Sequence, residues 1–189
     1  DTRTRILDSA WKMLESGTEV RMADIAKSAG ISRQALYLHF PARAELLIAT
    51  TRHIDEKKNI DARLAPSRNA ETGIDRLNAY IEAWGNYIPE IHGVARALMA
   101  MQDSDAAAKQ AWDDRMHAVR EGCEAAIKAL RNDGVLSSDY TISKATDILW
   151  AMLSVGQWEL LTVTCGWSQS QYIALTKRAA QRTLLIHHP

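Results

Sequence analysis

Phenylalanine occurs once in this chain, cysteine twice and proline four times. No apolar run approaches the ~18 residues that a membrane-spanning helix needs. Each shortage removes a class of protein. Two cysteines, Cys123 and Cys165, cannot staple a disulfide-built fold, and they lack metal-type spacing. No basic stretch ahead of an apolar block marks a secretory leader, so the expected compartment is the reducing cytoplasm. Charge of neither sign is in excess, with 23 Lys and Arg against 23 Asp and Glu, which argues against a surface that is basic throughout. Residues 1–63 hold eleven basic and nine acidic side chains and the remainder twelve and fourteen, so the chain permits a local basic face and no more.

Catalytic constellations are missing too. His39, His53, His92 and His117 show no paired metal spacing, there is no glycine-rich phosphate loop, and no serine or cysteine sits in a readable arrangement with His and an acid. An enzyme, a metal site and a cofactor are therefore not expected. His187-His188 read as tail residues. What the sequence does contain is helical spacing nearly everywhere. Ile6, Leu7, Ala10, Trp11 and Leu14 repeat at three and four before Gly17; Met22, Ile25, Ala26 and Ala29 do so before Gly30; and Ser32 caps a short helix carrying Leu36 and Phe40. A fourth helix is predicted from Arg43 to about Arg63. The run APSRNA, 65–70, reads as the main break.

Beyond it, Ile74 to Ile88 predict a strongly amphipathic helix interrupted by Pro89 and Gly93, then a shorter one ending at Asp103-Ser104-Asp105. Trp112 to Leu130, Ile142 to Thr164, and Ser168 to about Ile186 complete an all-α chain of about nine helices. Ser168 and Gln171 have the spacing of a capping box.

Gly30-Ile31-Ser32 is the tight turn that a helix-turn-helix requires: the glycine ends one helix, the isoleucine plugs the angle, and the hydroxyl caps the next. A short second helix of this kind can enter the DNA major groove, where Arg suits guanine and Gln suits adenine in bidentate pairing. The run from Met22 to Leu47, with Asp24-Ile25-Ala26, Ala29-Gly30-Ile31-Ser32, Leu36-Tyr37, His39-Phe40 and Arg43 ahead of Leu46, resembles the DNA-binding domain of the TetR family of bacterial transcriptional regulators. The resemblance implies a three-helix DNA-binding domain over 1–48, its recognition helix about 32–40, and a ligand-binding and dimerisation domain over 49–186. Arg33, Gln34, Ala35 and Leu38 match its base-reading surface, Tyr37 and His39 its phosphate contacts, and Arg43 its phosphate anchor. Ser32 belongs to the same surface. Val20 and Arg21 stand where relatives often carry a capping Thr or Ser, so Arg21 is expected to replace a hydroxyl contact with a charged one.

From about residue 70 the resemblance lies in helical layout alone. Five of six tryptophans fall there. Tyr80, Trp84, Tyr87, Met99, Met101, Trp112, Met116, His117, Trp150 and Trp158 are candidates to line an adaptable cavity for an apolar or aromatic effector, or else to form a plain aromatic core. Apolar residues on more than one side of 142–186 point to a homodimer, which would set two recognition helices on a palindromic operator in double-stranded DNA. The function expected is a ligand-released repressor, with a redox-responsive repressor using Cys165, or a ligand-independent DNA-binding protein, as alternatives.

Overall fold

The computed structural model describes residues 1–186, so His187-His188 lie outside it. Among the described residues the chain is helical, and its one β feature is an isolated antiparallel bridge between Leu136 and Leu185. It divides into two compact units.

The first unit comprises Asp1–Ile60 with Ile91–Met116. Its helices are α1 (Thr2–Glu15), α2 (Met22–Ala29), α3 (Arg33–His39) and α4 (Arg43–Lys57), together with the end of α6 and the start of α7. Ile6, Leu7, Ala10 and Leu14 from α1, Ile25 and Ala26 from α2, Leu36 from α3 and Leu46 and Leu47 from α4 are buried, which gives the three-helix bundle and α4 a common core. Gly30 stops α2 at φ +68°, where its N–H reaches the carbonyls of Ala26 and Lys27. A side chain with a Cβ would be strained there. Two residues on, the Ser32 hydroxyl accepts the Ala35 N–H at 3.1 Å and starts α3.

The second unit comprises Asp61–Glu90 and the described part of His117–Pro189. It holds α5 (Ile60–Arg68), most of α6 (Gly73–Met101) and α7 (Ala106–Asn132), then α8 (Ile142–Met152), α9 (Val155–Glu159) with a π-helical continuation over Leu160–Thr164, and α10 (Gln169–Leu184). The capping box at Ser168 and Gln171 is present in full. Leu77, Ile81, Ile88, Cys123, Ile127, Leu130, Leu149, Tyr172 and Leu184 form its core.

Three predicted boundaries need correction. The fourth helix does not run to Arg63: it ends at Lys57, Asn59 adopts φ +54°, and α5 continues through the stretch read as a break, with Pro66 inside it. Pro89 and Gly93 do not interrupt α6. Pro89 has no N–H to give to the carbonyl of Gly85, four residues back, and the Gln169 side-chain amide donates to that carbonyl instead, at 2.8 Å. The helix predicted over 142–164 breaks at Leu153. Ser154 caps a new helix by accepting the Gln157 N–H, and the freed Leu153 carbonyl takes the Trp84 indole N–H at 2.9 Å.

Candidate nucleic-acid interface

Helix α3 has two sharply different sides. Leu36 is fully buried and Phe40, its C-terminal cap, is 2% exposed, whereas Leu38 is 83% exposed. At ~100° per residue, Leu38 points ~180° away from the mean direction of Leu36 and Phe40, with Gln34 on one flank and Ala35 on the other. Gln34 is exposed and Ala35 half-buried. No protein group covers Leu38 to that degree of exposure, so this outermost strip of α3 is free to meet another molecule.

Arg33 departs from the strip. Its guanidinium lies 5.6 Å from the Tyr37 ring centroid, in cation–π range. Arg33 and Tyr37 border an open cleft of about 450 Å³ that is also lined by Glu19, Arg21, Arg43 and Asp105. The structure thus gathers three of the predicted arginines on one side of α3 and leaves Gln34, Ala35 and Leu38 as its central face. His39 is exposed at the C-terminal end of the helix.

Arg21 sits at the N-cap position of α2 but makes no side-chain cap. It pairs with Glu19 instead, and both side chains are about two-thirds exposed. The Glu19 carboxyl is held below its usual range by its hydrogen bond from Arg21. Val20 is buried, and its carbonyl accepts the Arg43 Nε–H at 2.6 Å.

Arg43, the phosphate anchor that the resemblance implies, is already engaged within the protein: its Nη1 donates to both Asp105 carboxylate oxygens, at 2.7 and 2.6 Å, and its side chain is 23% exposed. Asp105 in turn caps α7, accepting the N–H groups of Ala107 and Ala108. Burial raises the Asp105 pKa, but the Arg43 guanidinium and the two amides outweigh that, and the carboxyl ends below its usual value. Stability from this pair is therefore present at neutral pH and is lost only as pH falls through that lowered pKa. The cap was legible in the sequence, since Asp precedes an Ala-rich helix start, but its partner 62 residues away was not.

The residues proposed to line an effector cavity are divided between the two units. In the second unit, Tyr80 donates its hydroxyl to the Val119 carbonyl at 2.8 Å, Trp84 bonds Leu153, and the Trp158 indole donates to the Gln169 side-chain oxygen. Tyr87 is fully buried, its ring 5.8 Å from that of Trp84, and Trp150 is half-buried. His117 is on the surface beside Glu121, at 3.3 Å. In the first unit, Met99, Met101 and Met116 are half-buried. Trp112 borders a cavity of about 20 Å³, space for a water molecule. Tyr172 was not among the residues read from sequence: its hydroxyl is buried without a hydrogen bond of normal geometry among the described residues, and burial, partly offset by the Thr176 hydroxyl, pushes it up to about 12. Cys123 is buried, which pushes its thiol up to about 12, while Cys165 is exposed just after the π-helical segment.

Turn, cap and outward strip define a helix-turn-helix protein with an all-helical remainder. Residues 6–50, spanning α1 into α4, match the family model described as bacterial regulatory proteins, tetR family. The HTH-type transcriptional repressor LfrR of Mycolicibacterium smegmatis is 24% identical over 155 residues, 82% of this chain and 77% of its own length. The nucleoid occlusion factor SlmA of a Marinomonas species is 41% identical over 58 residues, 30% of this chain and 29% of its own. Among solved structures, a transcriptional regulator of Saccharomonospora viridis in complex with choline shares the fold at a TM-score of 0.74, with 18% identity and 98% of each chain covered. Over residues 6–50 the chain is thus similar to the DNA-binding domain of the TetR family of bacterial regulatory proteins, and the helical fold of the whole is shared with solved transcriptional regulators. None of its described helices is long and apolar enough to cross a membrane.

Proposed function

We propose that this chain is a homodimeric cytoplasmic repressor, without enzymatic activity, that binds a palindromic operator through α3 and is released by a small molecule. The observation that carries the reading is the outer strip of α3. Gln34 offers the donor and acceptor pair that suits adenine, and Leu38 with Ala35 offers apolar contact suited to thymine methyl groups. Arg21, Arg33, Tyr37, His39 and Arg43 flank the strip as groups for the sugar-phosphate backbone, and Ser32 holds the helix in register.

Support for pairing comes from the exposed apolar residues Leu160, Val163 and Trp167 on and after the π-helical segment, which a second copy would cover. Support for a small-molecule effector comes from the buried, unpartnered Tyr172 hydroxyl within an aromatic-rich unit, and from the choline held by the Saccharomonospora regulator. The effector proposed for this chain is apolar or aromatic, with a polar group for that hydroxyl. Selection of bound duplexes from a random pool tests the reading. A palindromic consensus is expected; recovery of unrelated sequences, or a stable monomer by light scattering, would overturn it.

A further inference from the structure

Two of the three arginines that border the cleft beside α3 already have an acid. Arg21 has Glu19, in an exposed pair that solvent screens. Arg43 has Asp105, and this second pair is of a different kind. Both carboxylate oxygens engage one guanidinium nitrogen, Nε is tied to the Val20 carbonyl, and about a quarter of each side chain remains exposed. Only Nη2 of Arg43 is left without a hydrogen bond among the described residues. A carboxylate seated on Nη1 takes a donor that a phosphate oxygen would otherwise use, and its charge offsets that of the guanidinium.

The position of Asp105 makes the contact more than local. Asp105 lies in the turn between α6 and α7, helices that belong to both units. The start of α7 is also joined to α4 by Arg52 with Asp114 at 2.9 Å and by Asp55 with Arg115 at 3.2 Å. Those two pairs hold α7 against α4 without touching a residue of the interface. Asp105 alone among the three acids takes an arginine from it.

We infer that Asp105 is an internal stand-in for DNA phosphate, which neutralises Arg43 while the turn between α6 and α7 is seated on α4 and lowers duplex affinity until the turn withdraws. This rests on the DNA-binding reading above and adds a regulated element to it. A shift of the first turn of α7 away from α4 raises affinity and a closer seat lowers it. By linkage, a duplex that takes Arg43 favours withdrawal of Asp105.

The test uses the full chain, a labelled random-sequence duplex, and Asp105→Asn, which keeps a capping oxygen and removes the charge. Asp105→Ser, also a competent cap, guards against a fault peculiar to Asn. Affinity is expected to rise severalfold at low salt in both variants. The loss caused by Arg43→Ala is expected to be several times larger in the Asp105→Asn background than in the wild type, because Arg43 then acts at full charge. The plot of log affinity against log salt is expected to steepen by up to ~0.9 for each further phosphate that the protein neutralises. Equal losses from Arg43→Ala in the two backgrounds, or weaker binding by both Asp105 variants at unchanged melting temperature, would overturn the inference. Absence of duplex binding by the wild type and by both Asp105 variants would instead remove the DNA-binding reading itself.

Discussion

The two units treat their polar side chains in opposite ways. In the first, Gln34, Arg21, Arg33 and Tyr37 stand outside a core closed by Leu36 and Phe40, and short-range contacts such as the Ser32 cap keep them there. In the second, Tyr80, Trp84 and Trp158 turn their donors inward and bind backbone or amide oxygens at 2.8–2.9 Å. An interface that reads a large external partner needs groups presented before the partner arrives. A unit whose polar atoms already cross-link its own helices can accept a ligand only by exchanging some of those contacts, which ties binding to a change in helix position.

The largest effect expected from this contrast lies within α3 itself. Leu36→Ala removes a fully buried side chain from the core of the first unit and should cost ~2–5 kcal/mol in urea unfolding, with loss of duplex binding because α3 is no longer docked. Leu38→Ala, two residues on, should change stability by no more than ~0.5 kcal/mol and still weaken binding to a selected operator. Equal destabilisation by the two substitutions would erase the two-sided description of the helix.

That same pair shows why the first unit was readable from sequence. Leu36 and Phe40 repeat with the period of a helix, Gly30 and Ser32 mark its boundary, and every one of these signals lies within a dozen residues of the others. The second unit depends on contacts between distant residues. Pro89 reads as a helix breaker unless it is known that Gln169 will satisfy the Gly85 carbonyl. The break at Leu153 is likewise compensated by Trp84, although Ser154 with Gln157 three places on was a local sign of a new helix start. Aromatic composition left a ligand cavity and a plain aromatic core both open, because it does not say which indoles bond to distant carbonyls. The Arg43–Asp105 pair was out of reach for the same reason, since a charge pattern does not say which acid lies beside which base.

A medium effect is expected where α6 meets α7 in the second unit. A Cβ at Gly73 would come within 2.7–2.9 Å of backbone atoms of Leu130 and Ala129, and backbone at a helix contact cannot step aside as a side-chain tip can. Gly73→Ala should therefore cost ~1–3 kcal/mol by thermal or urea unfolding. The folded fraction should keep its affinity for a random duplex, because Gly73 lies outside the unit that carries α3. A loss of duplex affinity without a loss of stability would show that the close approach of the two helices matters to the interface and not only to packing.

The smallest expected effect separates the two buried tyrosines. Tyr80 gives its hydroxyl to Val119, so Tyr80→Phe should lose about 1 kcal/mol of stability. The hydroxyl of Tyr172 is just as enclosed but bonds to nothing among the described residues, so Tyr172→Phe removes a desolvated O–H without breaking a contact and should leave stability unchanged or raise it by up to ~1 kcal/mol. The measurement that gives this meaning is a compound screen by melting temperature on both proteins. A compound that stabilises the wild type and not Tyr172→Phe would place its polar group at that hydroxyl, and would explain why an enclosed donor persists there without a close partner. Should Tyr172→Phe instead lower stability as Tyr80→Phe does, the hydroxyl has a structural partner such as an ordered water, and Tyr172 drops out as the polar contact of the proposed effector.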